Sequence, residues 1–160
     1  MIDKDAYRRD VRSPEQFKKD IKSGHKTEKE IIEKYASIRE KEIGKRPIVV
    51  DNGCDNSGEW MPADTINTRA DFLVDNKRVE VKFNNYWTRI FHFKVRQLES
   101  YVRQNSSLLY VHGLLSPNPK YVLLSTTDLL NFIINRDRVI YWEKECFEFD
   151  VSEFEWRDFK

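Results

Sequence analysis

The chain has little cysteine, histidine, glycine or proline: among 160 residues there are two Cys, three His, five Gly and five Pro. Cys54 and Cys146 match no metal-ligand spacing and make no disulfide framework, so a reduced, cytoplasmic setting is the simplest account. His92 is one of the scattered histidines and is assigned no chemistry. No apolar run approaches the ~20 residues that a membrane-crossing helix needs. The first residues, Met1-Ile2-Asp3-Lys4-Asp5, lack the apolar core of a signal peptide. There is no internal repeat and no low-complexity tract. The chain also lacks an excess of either charge, with a formal net charge of +1, which gives no overall nucleic-acid-binding signature.

What is present is aromatic and charged. Ten Phe, seven Tyr and four Trp make 13% of the residues, and Asp, Glu, Lys and Arg make 34%. This is the composition of a soluble globular protein, and its length fits one domain, 1–160, that buries a core of its own. Charge is unevenly placed. Lys and Arg are in excess over residues 1–50, and the segment after Tyr141 is acidic. A nucleic-acid footprint would therefore be local: the first third of the chain with Arg69, Lys77, Arg78, Arg89, Lys94, Arg96 and Arg103.

The most informative stretch is 70–83, Ala-Asp-Phe-Leu-Val-Asp-Asn-Lys-Arg-Val-Glu-Val-Lys-Phe. Apolar and polar residues alternate on both sides of a short polar break, the pattern of a β-hairpin. Facing residues of an antiparallel pair share a side of the sheet, and successive residues alternate. A turn at Asp75-Asn76 sets Asp71 opposite Glu80; a turn at Asn76-Lys77 sets Asp71 opposite Lys82. In both registers Asp71, Leu73, Glu80 and Lys82 share one face, and Phe72, Val74, Val79, Val81 and Phe83 share the other. Two strand carboxylates at that range repel unless something positive lies between them, and a hard divalent cation is the usual solution. Lys82 at the rim is placed to orient a water or stabilise an oxyanion. The competing reading is a solvated ladder of ion pairs on a surface hairpin.

Asp71 followed by Glu80-Val81-Lys82 across a short hairpin resembles the PD-(D/E)XK, or restriction-endonuclease-like, nuclease superfamily. Ala70 stands where that motif often has proline. The resemblance implies that Asp71, Glu80 and the Val81 carbonyl ligate Mg²⁺, with Mn²⁺ able to substitute, and that Lys82 assists the attacking water. It also implies an acidic residue of the first helix beside the metal, for which Glu28 is the candidate. Gln97 and Tyr101, four apart, resemble the Q-x-x-x-Y signature of the exonuclease branch and would be second-tier or DNA-positioning groups.

The rest of the chain supplies the frame. Residues 1–12 are a basic arm. Ser13-Pro14-Glu15-Gln16 starts a short helix that carries Phe17 and Ile21 and ends at Gly24. Thr27-Glu28-Lys29-Glu30 opens a second helix over 28–43, closed by Gly44, with Ile31, Ile32, Tyr35, Ala36 and Ile38 inward and Glu28 near the middle of that face. Residues 47–50 read as a strand and 51–59 as a turn-rich loop, with Glu59 and Asp64 as spare carboxylates. After the hairpin, Tyr86, Trp87 and Arg89 form an aromatic and basic cluster suited to bases and phosphates, and 90–93 alternates. Residues 95–103 make an amphipathic helix, 108–113 and 121–125 two buried strands, and 126–135 a helix. Residues 147–151 read as an acidic edge strand, with Phe154 and Trp156 docking on the body.

The expected fold is an α/β/α sandwich with a mixed central sheet, restriction-endonuclease-like. The expected activity is a Mg²⁺-dependent DNA nuclease, a small endonuclease of the phage or mobile-element type. An exonuclease of the same superfamily and a non-catalytic nucleic-acid-binding module are the alternatives. DNA is the expected partner, and cutting both strands of a duplex would favour a homodimer; no organic cofactor and no membrane are implied.

Overall fold

The structure, a computed structural model, describes residues 13–52 and 70–160. The basic arm, Cys54, Glu59, Asp64 and Arg69 lie outside the described residues. Helix α1 spans Pro14–Ile43. Strands β1 (Val49–Asp51), β2 (Phe72–Val74) and β3 (Lys77–Phe83) are followed by β4 (Ile90–Lys94), α2 (Val95–Arg103), β5 (Ser107–His112) and β6 (Lys120–Leu124). Helix α3 (Thr126–Ile133), β7 (Arg138–Tyr141), β8 (Lys144–Asp150), a short 3₁₀ turn at Val151–Glu153 and β9 (Arg157–Asp158) complete the chain.

The first helical segment departs from expectation. One continuous helix replaces the two expected around Gly24 and Thr27. A glycine inside a helix costs about 1 kcal/mol against alanine but does not break the ladder. The Thr27 hydroxyl donates back to the Ser23 carbonyl, 3.0 Å away, so it does not cap a new N-terminus. The outer signals hold. The Ser13 side chain caps the start by accepting from the Gln16 N–H, and Gly44 closes the end in the left-handed region at φ 77°. The side chains of Phe17 and Ile21 lie outside what the structure describes.

The protein is mixed α/β. Its larger sheet has the order β1-β2-β3-β5-β6-β9, antiparallel throughout except for the parallel β3–β5 pair. One face packs on α1, where Ile31, Ile32 and Tyr35 meet Phe72, Val81 and Leu109. The other face carries Leu108, Tyr110, Val122 and Leu124, which pack with α2, α3 and aromatic residues of a second sheet. The period-2 alternation along β3 and β5 assigns each side chain to one of these two cores.

That second sheet is the other departure. It is a three-stranded antiparallel layer of order β4-β8-β7. β8 lies between two neighbours and is not the acidic edge expected for 147–151. Phe147 and Phe149 point into the core, while Glu148 faces outward against His92 at 3.1 Å. The acidic alternation marks a half-solvated face, and such a face occurs in a central strand as well as at an edge. Smaller shifts are one or two residues: the first strand is Val49–Asp51, and α3 is capped by Ser125 with Asp128 completing a reciprocal box. Phe154 is buried, and Trp156 is half-buried with its indole N–H on the Val151 carbonyl at 2.7 Å.

Two glycines give opposite expectations. Nothing lies within 4 Å of a Cβ built at Gly24, so Gly24→Ala is expected to stabilise the protein by about 0.5–1 kcal/mol in chemical denaturation. Gly113 sits at φ 67°, and a Cβ there would come 2.7 Å from the Trp87 ring. Gly113→Ala is expected to destabilise by about 1–3 kcal/mol in the same measurement.

Candidate functional site

The site begins where a strand pairing stops. The hairpin register is Phe72↔Val79, Leu73↔Arg78 and Val74↔Lys77, so the turn is Asp75-Asn76. Both turn residues have positive φ, 48° and 64°, as the tight twisted hairpin turn requires and as Asp and Asn tolerate well. Continuing that register by one residue sets Asp71 opposite Glu80. The β2 ladder has ended by then, and the Val81 N–H points to the side a longer β2 would have occupied. The Asp71 carboxylate takes that N–H through Oδ2 at 3.1 Å. At the same point the Asn52 side chain donates to the Ala70 carbonyl and the Asn52 N–H to the Asp71 carbonyl, holding the entry to the hairpin.

Glu80 points to the α2 side, opposite Val79 and Val81, and is 9% exposed. It accepts from the Tyr101 hydroxyl at 3.1 Å, and the Lys82 ammonium lies 3.7 Å from the same oxygen, Oε1. Burial, then the charge of Asp71, pushes the Glu80 carboxyl up to about 7; Lys82, the Tyr101 hydroxyl and the Asp71 N–H act in the opposite direction. Burial also raises the Tyr101 hydroxyl, followed by the charges of Glu80, Asp71 and Glu28. Glu28, half-buried on α1, is therefore within electrostatic reach of the same hydroxyl.

Asp71, Glu80, Lys82, Tyr101 and Glu28 thus converge. Of the two roles the Q-x-x-x-Y resemblance implies for Tyr101, supporting the acidic residues or positioning DNA, its placement suits the first: it is buried behind Glu80 and donates to that carboxylate. Gln97 is one helical turn earlier on α2, half-buried. Trp87, in contrast, packs edge-on against His112 and Trp156, with ring centroids 4.4 and 5.9 Å away. Arg89 pairs with Asp150 at 3.6 Å, and Tyr86 is exposed. None of these contacts involves the carboxylate pair.

Lys94 ends β4 beside the site. Its ammonium is shifted down by desolvation first, then by the charge of Lys144 and, more weakly, by Lys82. Lys144 was not singled out from the sequence. Its only signal there was position within Trp142-Glu143-Lys144-Glu145, a run that reads as acidic.

No protein-family model, curated protein or solved structure matches this chain. Among the described residues, no group of three or more His, Cys, Asp and Glu side chains is arranged to hold a metal ion. What the residues offer is a facing pair of carboxylates, one of them raised by burial and then by its neighbour's charge, and the Val81 carbonyl. In a strand that carbonyl points to the same side as the N–H that Asp71 takes. Mg²⁺ keeps several waters and is commonly held by one or two carboxylates, so the donor set fits it.

Between the ordinary carboxylate range and about pH 7, folded protein keeps a proton on Glu80 that the unfolded chain has lost. Stability should therefore fall as pH rises through that window. Metal-free protein is expected to lose roughly 2–3 kcal/mol between about pH 5 and pH 8 in denaturant titrations. Glu80→Gln should flatten that slope; an unchanged slope in this variant would show that another group is responsible.

Proposed function

We propose that the protein is a Mg²⁺-dependent nuclease of the PD-(D/E)XK kind that hydrolyses phosphodiester bonds in DNA. The observation that carries this reading is the facing of Asp71 and Glu80 past the end of β2, with Lys82 3.7 Å from Glu80. A buried carboxylate facing a half-buried one on a small, otherwise well-paired hairpin is a poor structural device, because burial and then the like charge raise the Glu80 carboxyl and weaken the fold near neutral pH. It is a good cation grip. The element order also supports the reading: a helix, an antiparallel hairpin, a helix and then a strand parallel to β3 follow one another as the resemblance implies. The β4-β8-β7 layer is an addition to that frame.

In this reading Asp71 and Glu80 hold the ion with the Val81 carbonyl, and Glu28 adds negative charge from α1. When bound, the ion supplies charge stabilisation for the pentavalent phosphorus. Lys82 orients the attacking water, and its positive charge stabilises the hydroxide that develops as the water's proton leaves to solvent. Tyr101 holds Glu80 in one rotamer, so that the carboxylate is positioned before substrate arrives. A homodimer would supply two such sites for a duplex.

Two readouts test the assignment. Titration with Mg²⁺ or Mn²⁺ is expected to raise the melting temperature of wild type and of Lys82→Ala, but not of Asp71→Ala or Glu80→Ala. Cleavage of plasmid DNA is expected to fall by about 100-fold or more in all three variants. Asp71→Ala that cuts as fast as wild type would remove the proposal. Closed circular and end-blocked linear DNA then separate an endonuclease from an exonuclease, which needs ends.

A further inference from the structure

The turn between β7 and β8 is built against its own local preference. Trp142 and Glu143 occupy it with φ 51° and 62°. The structurally equivalent turn between β2 and β3 uses Asp75 and Asn76, residues that adopt the left-handed region readily. For a bulky residue that conformation is a genuine outlier. Its result is an indole 81% exposed at the hairpin tip, next to the half-exposed Tyr141 ring. Tyr141 is held in place by stacking on His92, with ring centroids 3.9 Å apart and planes 9° from parallel. The tip therefore presents one ring anchored by stacking and a largely exposed indole that touches it only edge-on, with centroids 6.3 Å apart, little packing to offset the local conformational cost.

A cationic track connects this tip to the carboxylate pair. Lys144 pairs with Tyr141 across the hairpin, and Lys94 pairs with Cys146 two residues further along β8. Lys94 and Lys144 therefore share a face of the second sheet, close enough for their side chains to contact and to disfavour each other's charge. The charge of Lys82 also reaches Lys94, and Lys82 lies 3.7 Å from Glu80. Among the described residues neither Lys94 nor Lys144 makes an ion pair, whereas Glu145 and Glu148 on the same strand are engaged by Arg138 and His92. Mutually repelling ammoniums without carboxylate partners favour a polyanion. Exposed aromatic rings beside such a track favour unpaired bases.

We propose that the outer face of the β4-β8-β7 sheet is a landing surface for single-stranded nucleic acid. Bases stack on Trp142 and Tyr141, and phosphates follow Lys144 and Lys94 toward Lys82. This inference rests on the nuclease reading of Asp71 and Glu80 for its direction, and it goes beyond it by specifying an unpaired strand and the residues that take it.

The test uses the full chain in EDTA, where metal-dependent cleavage is off. Fluorescence anisotropy reads the binding of a labelled mixed-sequence single-stranded 20-mer and of its blunt duplex at low salt. Trp142→Ala is expected to weaken single-strand binding about tenfold and duplex binding less than about twofold. Lys94→Gln and Lys144→Gln should each weaken both and lower the slope of log affinity against log salt by roughly 0.7–0.9. Trp142→Ala with wild-type single-strand affinity overturns the proposal. So does loss of self-association in sedimentation without loss of oligonucleotide binding, which would make the tip a contact between copies. If wild type cleaves DNA but these variants bind normally, only this surface is wrong. If wild type binds no oligonucleotide at all, this surface is likewise wrong, and the nuclease reading stands or falls on cleavage in Mg²⁺.

Discussion

The structure turns on a repulsion that is tolerated and only partly neutralised. Asp71 and Glu80 face each other where β2 has run out, one held by a backbone N–H and the other by a tyrosine hydroxyl and an ammonium. Each hydrogen bond favours the charged form of its carboxylate, yet burial and mutual proximity prevail at Glu80. The surrounding elements serve that confrontation. α2 brings Tyr101, β3 carries Lys82 two residues on, and the Asp75-Asn76 turn sets a register that a one-residue slip would undo by moving every charged side chain into the α1 core.

How much of this was legible depended on whether the controlling interactions were local. The hairpin was legible, because a two-residue polar break between alternating segments leaves few registers, and Asp-Asn suits the turn adopted. Glu80 and Lys82 on one face and Val79 and Val81 on the other follow from parity alone. Helix α2 was legible to the residue, since its apolar positions Val95, Leu98 and Val102 are not contradicted by any internal breaker. The role of Tyr101 was left between two alternatives. Its four-residue spacing from Gln97 describes a helix face, and only the packing of α2 onto β3 decides that the hydroxyl reaches Glu80.

Where local signals compete, the reading failed in a consistent way. Thr27 and Glu30 look like a helix start, but that evidence is outweighed when the preceding turn is already helical and can propagate through Gly24. The β7–β8 hairpin was missed because Trp-Glu is not a turn signature, and with it went the second sheet and the position of Lys144. Trp87 illustrates a related limit. An aromatic beside a basic residue just past the motif looked like a base-stacking group, but the absent Cβ of Gly113 opens a slot against which its ring packs.

The 30-residue α1 has a consequence of its own. At 1.5 Å per residue it is about 45 Å long, roughly twice the length of the seven-residue β3 that it crosses. Among its described side chains, the fully buried ones run from Ile31 to Ile38. The described part of the helix is clamped by its C-terminal half, and amide exchange is expected to be slowest at Ile31–Ile38. Glu28 stands one turn ahead of the clamp. Fraying that reaches it withdraws a negative charge from the vicinity of Tyr101, which couples the electrostatics of the carboxylate pair to the melting of a helix end.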